Sequence, residues 1–104
     1  MTNYVTVARV GDVARGDTKG IALGGKRMLL CNVEGSYFAV DDVCTHDGGP
    51  LGQGRLFGHA IECPRHGARF DVRTGRVLAL PAVVPIKSYS VRIEGTDIQV
   101  SVGT

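Results

Sequence analysis

Two short peptides near the middle of the chain, Cys44-Thr45-His46 and Cys63-Pro64-Arg65-His66, each place a thiol beside an imidazole. The sixteen residues 47 to 62 separate them, and the rest of the chain is organised around the pair. A Cys-x-His followed by a Cys-x-x-His is the ligand set expected when two thiolates hold one iron of an iron–sulfur cluster and two imidazoles hold the other. Residues i and i+2 of an extended loop lie on one side, roughly 6–7 Å apart, which suits Cys44 and His46 to adjacent irons. Pro64 favours a turn that presents Cys63 and His66 on the same side. Gly48, Gly49, Gly52 and Gly54 follow the first pair, and Gly67 follows the second. Glycine allows the backbone N–H groups to come close to a cluster's sulfurs. Two alternatives are set beside this reading. Structural zinc usually takes Cys-x₂₋₄-Cys with a second Cys pair or His-x₃₋₅-His, so the one-residue gap is unusual for it. A Cys44–Cys63 disulfide would strand two histidines and leave Cys31 odd.

The segment CTHDGGPLGQGRLFGHAIECPRHGARFD resembles the cluster-binding region of Rieske proteins, specifically the small Rieske-type ferredoxins of multicomponent aromatic-ring-hydroxylating oxygenases. The likeness runs over nearly the whole chain, through the flanking strands and the Pro81–Pro85 loop. It implies one Rieske 2Fe-2S cluster held by Cys44, His46, Cys63 and His66. It also implies a one-electron carrier, not itself an enzyme, relaying electrons from a flavin-dependent reductase to a terminal non-haem iron oxygenase through transient contacts. His46 and His66 are expected at the exposed tip, with the Pro81–Pro85 loop over the cluster and Arg65 on the docking face.

Departures from the respiratory Rieske pattern bear on the potential. Those proteins carry two further cysteines where this sequence has Gly49 and Arg65, and hydroxyl donors where it has Ala68 and Phe70. Fewer donors leave negative charge on the sulfurs less stabilised, so the expected potential is at the low end of the family range. Imidazole ligation predicts a midpoint that falls as pH rises. Two rivals belong to other classes: the small subunit of an assimilatory nitrite reductase, whose members often lack the ligands, and a zinc-stabilised interaction module.

A chain of 104 residues with 43% hydrophobic and 21% charged residues fits one globular domain, small enough to gain from a metal staple. Its fifteen glycines suit a turn-rich β fold. A net charge of +2 with scattered Lys and Arg gives no nucleic-acid footprint. No export signal and no apolar run of membrane-spanning length is visible, so a cytoplasmic protein is expected.

Alternation predicts strands over Tyr4–Val10, Gly20–Leu23, Lys26–Val33, Tyr37–Val40, Arg55–Phe57, Ala60–Glu62, Arg69–Val72, Arg76–Ala79, Ile86–Ile93 and Asp97–Val102. Gly24-Gly25, Thr74-Gly75 and Gly95-Thr96 are the turn signals between neighbours. The two prolines in Leu80–Pro85 exclude a central strand there. No amphipathic helix is found. The expected class is all-β, an antiparallel sandwich or barrel. The resemblance adds a cluster-binding subdomain, roughly 43–70, inserted into a single Rieske domain spanning 1–104. Cys31 reads as a small buried hydrophobe, His59 as a surface histidine, and Asp41 and Asp42 as solvated or capping the first ligand loop.

Overall fold

The computed structural model describes residues 3–45, 48–52 and 54–101. Among them are eleven strands in three antiparallel sheets and no helix. Strands β1 (Tyr4–Arg9), β11 (Asp97–Ser101) and β10 (Val91–Glu94) form the first sheet in that order. The second runs β2 (Thr18–Leu23), β3 (Lys26–Val33), β4 (Ser36–Asp41) and β9 (Ser88–Tyr89). The third runs β5 (Arg55–Phe57), β6 (Ala60–Glu62), β7 (Arg69–Asp71) and β8 (Val77–Ala79).

The β2–β3 hairpin shows how the sequence sets register. Leu23 pairs with Lys26, and the two residues between them, Gly24 and Gly25, have φ of 60° and 78°. A two-residue turn matching the strand twist needs positive φ at both positions, which glycine adopts without strain.

The second sheet lies between the other two, which explains the apolar run Met28-Leu29-Leu30-Cys31. Met28 and Leu30 on β3 and Ala39 on β4 face Ile98 and Val100 of the first sheet. Leu29, Cys31 and Val40 face the other way, into a core shared with Ile61 and Phe70 of the third sheet. Both faces of β3 are buried, so its hydrophobic residues run on without alternating with polar ones.

Two expectations change by more than one residue, and Val102, expected at the end of the last strand, lies outside the described residues. The strand expected over Ile86–Ile93 is two strands: β9 pairs with β4, and β10 pairs with β11. Ser90 lies at the crossing from one sheet to the other, and its carbonyl accepts from Ser101 N–H. Such a change of sheet makes a corner of the sandwich, and alternation continues across it. Strand β2 also starts at Thr18, two residues before Gly20, because Thr18 and Lys19 pair with Cys31 and Leu30.

Between β7 and β8 the chain turns around Asp71. Its carboxylate accepts from Arg73 N–H at 2.8 Å and holds the Arg73 guanidinium through contacts of 3.0 and 2.9 Å. The hydrogen bonds from Arg73 hold the Asp71 carboxyl below its ordinary value. A lowered folded-state value means the bond stabilises the fold above the unfolded carboxyl's pH range, about 4, and is lost as pH falls through the folded value. Asp71→Asn is therefore expected to lower the denaturation midpoint at pH 7. The gap from the parent protein should narrow below about pH 4. Paired urea titrations across that range check this, and a gap that is constant with pH would contradict it.

Candidate iron–sulfur site

The loops after β4 and β6 close on themselves in the same pattern. Cys44 N–H donates to the Gly49 carbonyl at 2.7 Å, and Gly48 N–H returns to the Cys44 carbonyl at 2.7 Å. In the second loop Cys63 N–H donates to the Ala68 carbonyl at 2.7 Å, and Gly67 N–H returns to the Cys63 carbonyl at 3.2 Å. Gly48 and Gly67, each four residues after its cysteine, take φ of 76° and 78°. That left-handed step folds each short loop back beside its own cysteine.

Cys44 and Cys63 are buried in the core shared by the second and third sheets, alongside Leu51, Ala68 and Phe70. His66 is exposed. His46 lies outside the described residues. The cysteines form no disulfide among the described residues. Within those residues no three His, Cys, Asp or Glu side chains converge on a site for a single ion. Ala68 and Phe70, both fully buried, offer no side-chain hydrogen-bond donor.

The adjacent carboxylates of Asp41, the last residue of β4, and Asp42, just beyond it, have separate partners. Asp41 accepts from the Tyr89 hydroxyl at 2.5 Å. Burial, followed by that bond, raises the Tyr89 phenol. Asp42 accepts from the N–H groups of Leu51 at 2.8 Å and Gly52 at 2.9 Å, beyond the first ligand loop. It thus caps that loop. Cys31 is the expected small buried hydrophobe, its thiol pushed up to about 12 by burial and then by the Asp42 charge. His59, expected at the surface, is half-buried with its ring edge-on to Phe38 at 5.6 Å between centroids.

Two contacts carry no sequence signal. The Thr45 hydroxyl donates to the Val84 carbonyl, joining the first ligand loop to the proline loop. That loop buries Ala82 and exposes Leu80, Val83 and Val84. Gly54 lies so close to β6 that a Cβ there would stand 1.8 Å from the Glu62 carbonyl oxygen.

Three antiparallel sheets with two self-closed Cys/His loops define a class, and the comparisons agree. The Rieske [2Fe-2S] domain matches residues 3–90, and the chain belongs to that family. A Rieske 2Fe-2S cluster is the cofactor of that family, and the relatives that follow are ferredoxin components of dioxygenase systems. The ferredoxin component of the naphthalene 1,2-dioxygenase/salicylate 5-hydroxylase systems of Ralstonia sp is 42% identical over 92 residues, 88% of each chain. The ferredoxin of carbazole 1,9a-dioxygenase from Nocardioides aromaticivorans IC177 superposes with a TM-score of 0.90 at 34% identity, covering 94% of this chain and 96% of that one. A ferredoxin solved in complex with the oxygenase of carbazole 1,9a-dioxygenase gives 0.88 at 29%, over 94% and 92% of the two chains. A nitrite reductase small subunit from Mycobacterium tuberculosis gives 0.90 at 21%, over 100% and 98%, a likeness of fold alone. No helix among the described residues is long and apolar enough to cross a membrane.

Proposed function

We propose that Cys44, His46, Cys63 and His66 hold the cluster, and that the protein passes single electrons from a flavin-dependent reductase to a terminal non-haem iron oxygenase. The observation that carries this reading is the matched closure of the two loops, which offers a buried thiol from each and an exposed imidazole from the second. The donor set fits the group: thiolates are the soft ligands iron–sulfur centres need, and two neutral imidazoles replace the other two. The cluster, when bound, supplies a store for one electron. The chain's own residues do the rest. The core around Cys44 and Cys63 keeps water from the thiolate side, and His66 offers an edge to solvent through which an electron can enter or leave. Residues 43–70, roughly, are the cluster-binding unit; they include β5, β6 and most of β7 and share a core with the second sheet.

Because the side chains of Ala68 and Phe70 have no hydrogen-bond donor, the midpoint is expected near the low end of the Rieske range, about −150 mV. A dye-mediated redox titration checks this, and a strongly positive midpoint would overturn the donor argument.

The exposed apolar stretch Leu80, Val83 and Val84, tied to the first ligand loop through Thr45, and the exposed Arg65 beside His66 suit a small transient contact with the oxygenase. Reversing a charge at the rim of such a contact acts on the association rate. Arg65→Glu is expected to slow electron transfer to the oxygenase about tenfold at low ionic strength, with less effect in salt and an unchanged visible spectrum. Stopped-flow oxidation of the reduced protein by its oxygenase measures it. Loss of the spectrum would make Arg65 structural instead.

A further inference from the structure

The two ligand loops are joined by a strut that is separate from the ligands themselves. Asp42 is anchored to the start of β3 by its own N–H, which donates to the Arg27 carbonyl at 3.0 Å. One oxygen of its carboxylate, Oδ1, takes both the Leu51 N–H and the Gly52 N–H. Leu51 is fully buried with Cys44 and Cys63, and its carbonyl accepts Gly54 N–H at 2.8 Å. Gly54 in turn presses on the backbone of Glu62, the residue before Cys63. A continuous set of contacts therefore runs from Asp42, two residues before Cys44, through Leu51 and Gly54 to the residue before Cys63.

We infer that Asp42 is a positioning residue for the cluster: by holding the backbone of Leu51 and Gly52 in place, its carboxylate fixes the separation of the two ligand loops. This inference rests on the ligand assignment proposed above. Asp42 touches no ligand side chain in these contacts and acts through the backbone whose two N–H groups its Oδ1 accepts. An asparagine at 42 keeps an oxygen able to accept both bonds, whereas an alanine keeps none. Partners that orient metal ligands typically change metal affinity 10–100-fold when removed.

The test uses the full chain carrying its cluster, as the parent protein, Asp42→Ala and Asp42→Asn. The decay of visible absorption in a fixed excess of iron chelator gives the cluster lifetime, and the paramagnetic spectrum after dithionite reduction reports ligand geometry. Asp42→Ala is expected to lose the cluster about tenfold faster, with a broadened spectrum. Asp42→Asn should stay within about twofold of the parent, with sharp lines. An Asp42→Ala protein with the parent's lifetime and spectrum overturns the inference. An Asp42→Asn protein as labile as the alanine variant overturns it too, since charge and not the acceptor would then matter. If the alanine variant fails to fold, the asparagine variant decides alone by the same two measures. A parent protein with no signal on reduction overturns the ligand assignment itself, and the role of Asp42 with it.

Discussion

Cys63→Ala is expected to yield a folded, colourless protein whose iron and acid-labile sulfide per chain fall at least about tenfold. The variant separates ligand chemistry from packing. Cys63 is a buried side chain in an apolar core, and a cysteine in such a place behaves as a small hydrophobe. Trimming it to alanine removes one sulfur's worth of contacts, on the order of 1 kcal/mol, which a domain of this size tolerates. A thiolate ligand has no substitute in alanine, so the loss of metal should greatly exceed the loss of packing. Cys31→Ala is the matched control. It is equally buried in the same core but stands on β3, outside both ligand loops, and should keep the cluster. Iron and sulfide analysis with visible absorption reads both variants. Unchanged iron in Cys63→Ala, or equal losses in both, would contradict the assignment.

The second large effect is expected at Gly54. An added Cβ would stand 1.8 Å from the Glu62 carbonyl oxygen and 3.1 Å from that of Leu51. Carbon and oxygen need roughly 3.5 Å, and both obstacles are backbone, so no rotamer change relieves the clash. Either Gly54 or β6 must move, and β6 leads directly into the second ligand loop. Gly54→Ala is expected to cost about 3 kcal/mol or more, lowering the unfolding temperature by at least about 10 °C. It should also shorten the cluster lifetime. Gly58→Ala makes the contrast: its φ is 58°, but nothing lies within 4 Å of the added carbon, so the cost should stay near 1 kcal/mol. Thermal unfolding of the cluster-bound proteins compares them. A Gly54→Ala protein as stable as Gly58→Ala would contradict the close approach.

What could be read from the sequence follows from how local each determinant is. The Gly24-Gly25 and Gly95-Thr96 turns were legible because the residues that need special backbone angles lie between the strands they connect. The proposed ligand set rests on residue types at short spacing, which a sequence displays directly. The break at Ser90 was not, because it is set by partners far away in the chain: Ala39 and Val40 on one side, the β11 strand on the other. His59 reads as a polar residue at a turn, but Phe38 of another sheet covers its ring. Asp42 could be guessed as a cap from its place before the loop, but not its two donors nine and ten residues on. Gly54 looks like any flexible glycine, whereas here it is required for a close approach to another strand's backbone and not for a positive φ.

The most direct test of the central claim, that two thiolates and two imidazoles bind one two-iron cluster that carries a single electron, is the paramagnetic resonance of the protein before and after reduction by dithionite. The oxidised protein should be silent. The reduced protein should give one rhombic signal, integrating to one spin for every two irons, at a potential near the low end of the Rieske range. A fully assembled protein that stays silent on reduction, or that holds zinc and no iron, would contradict the account.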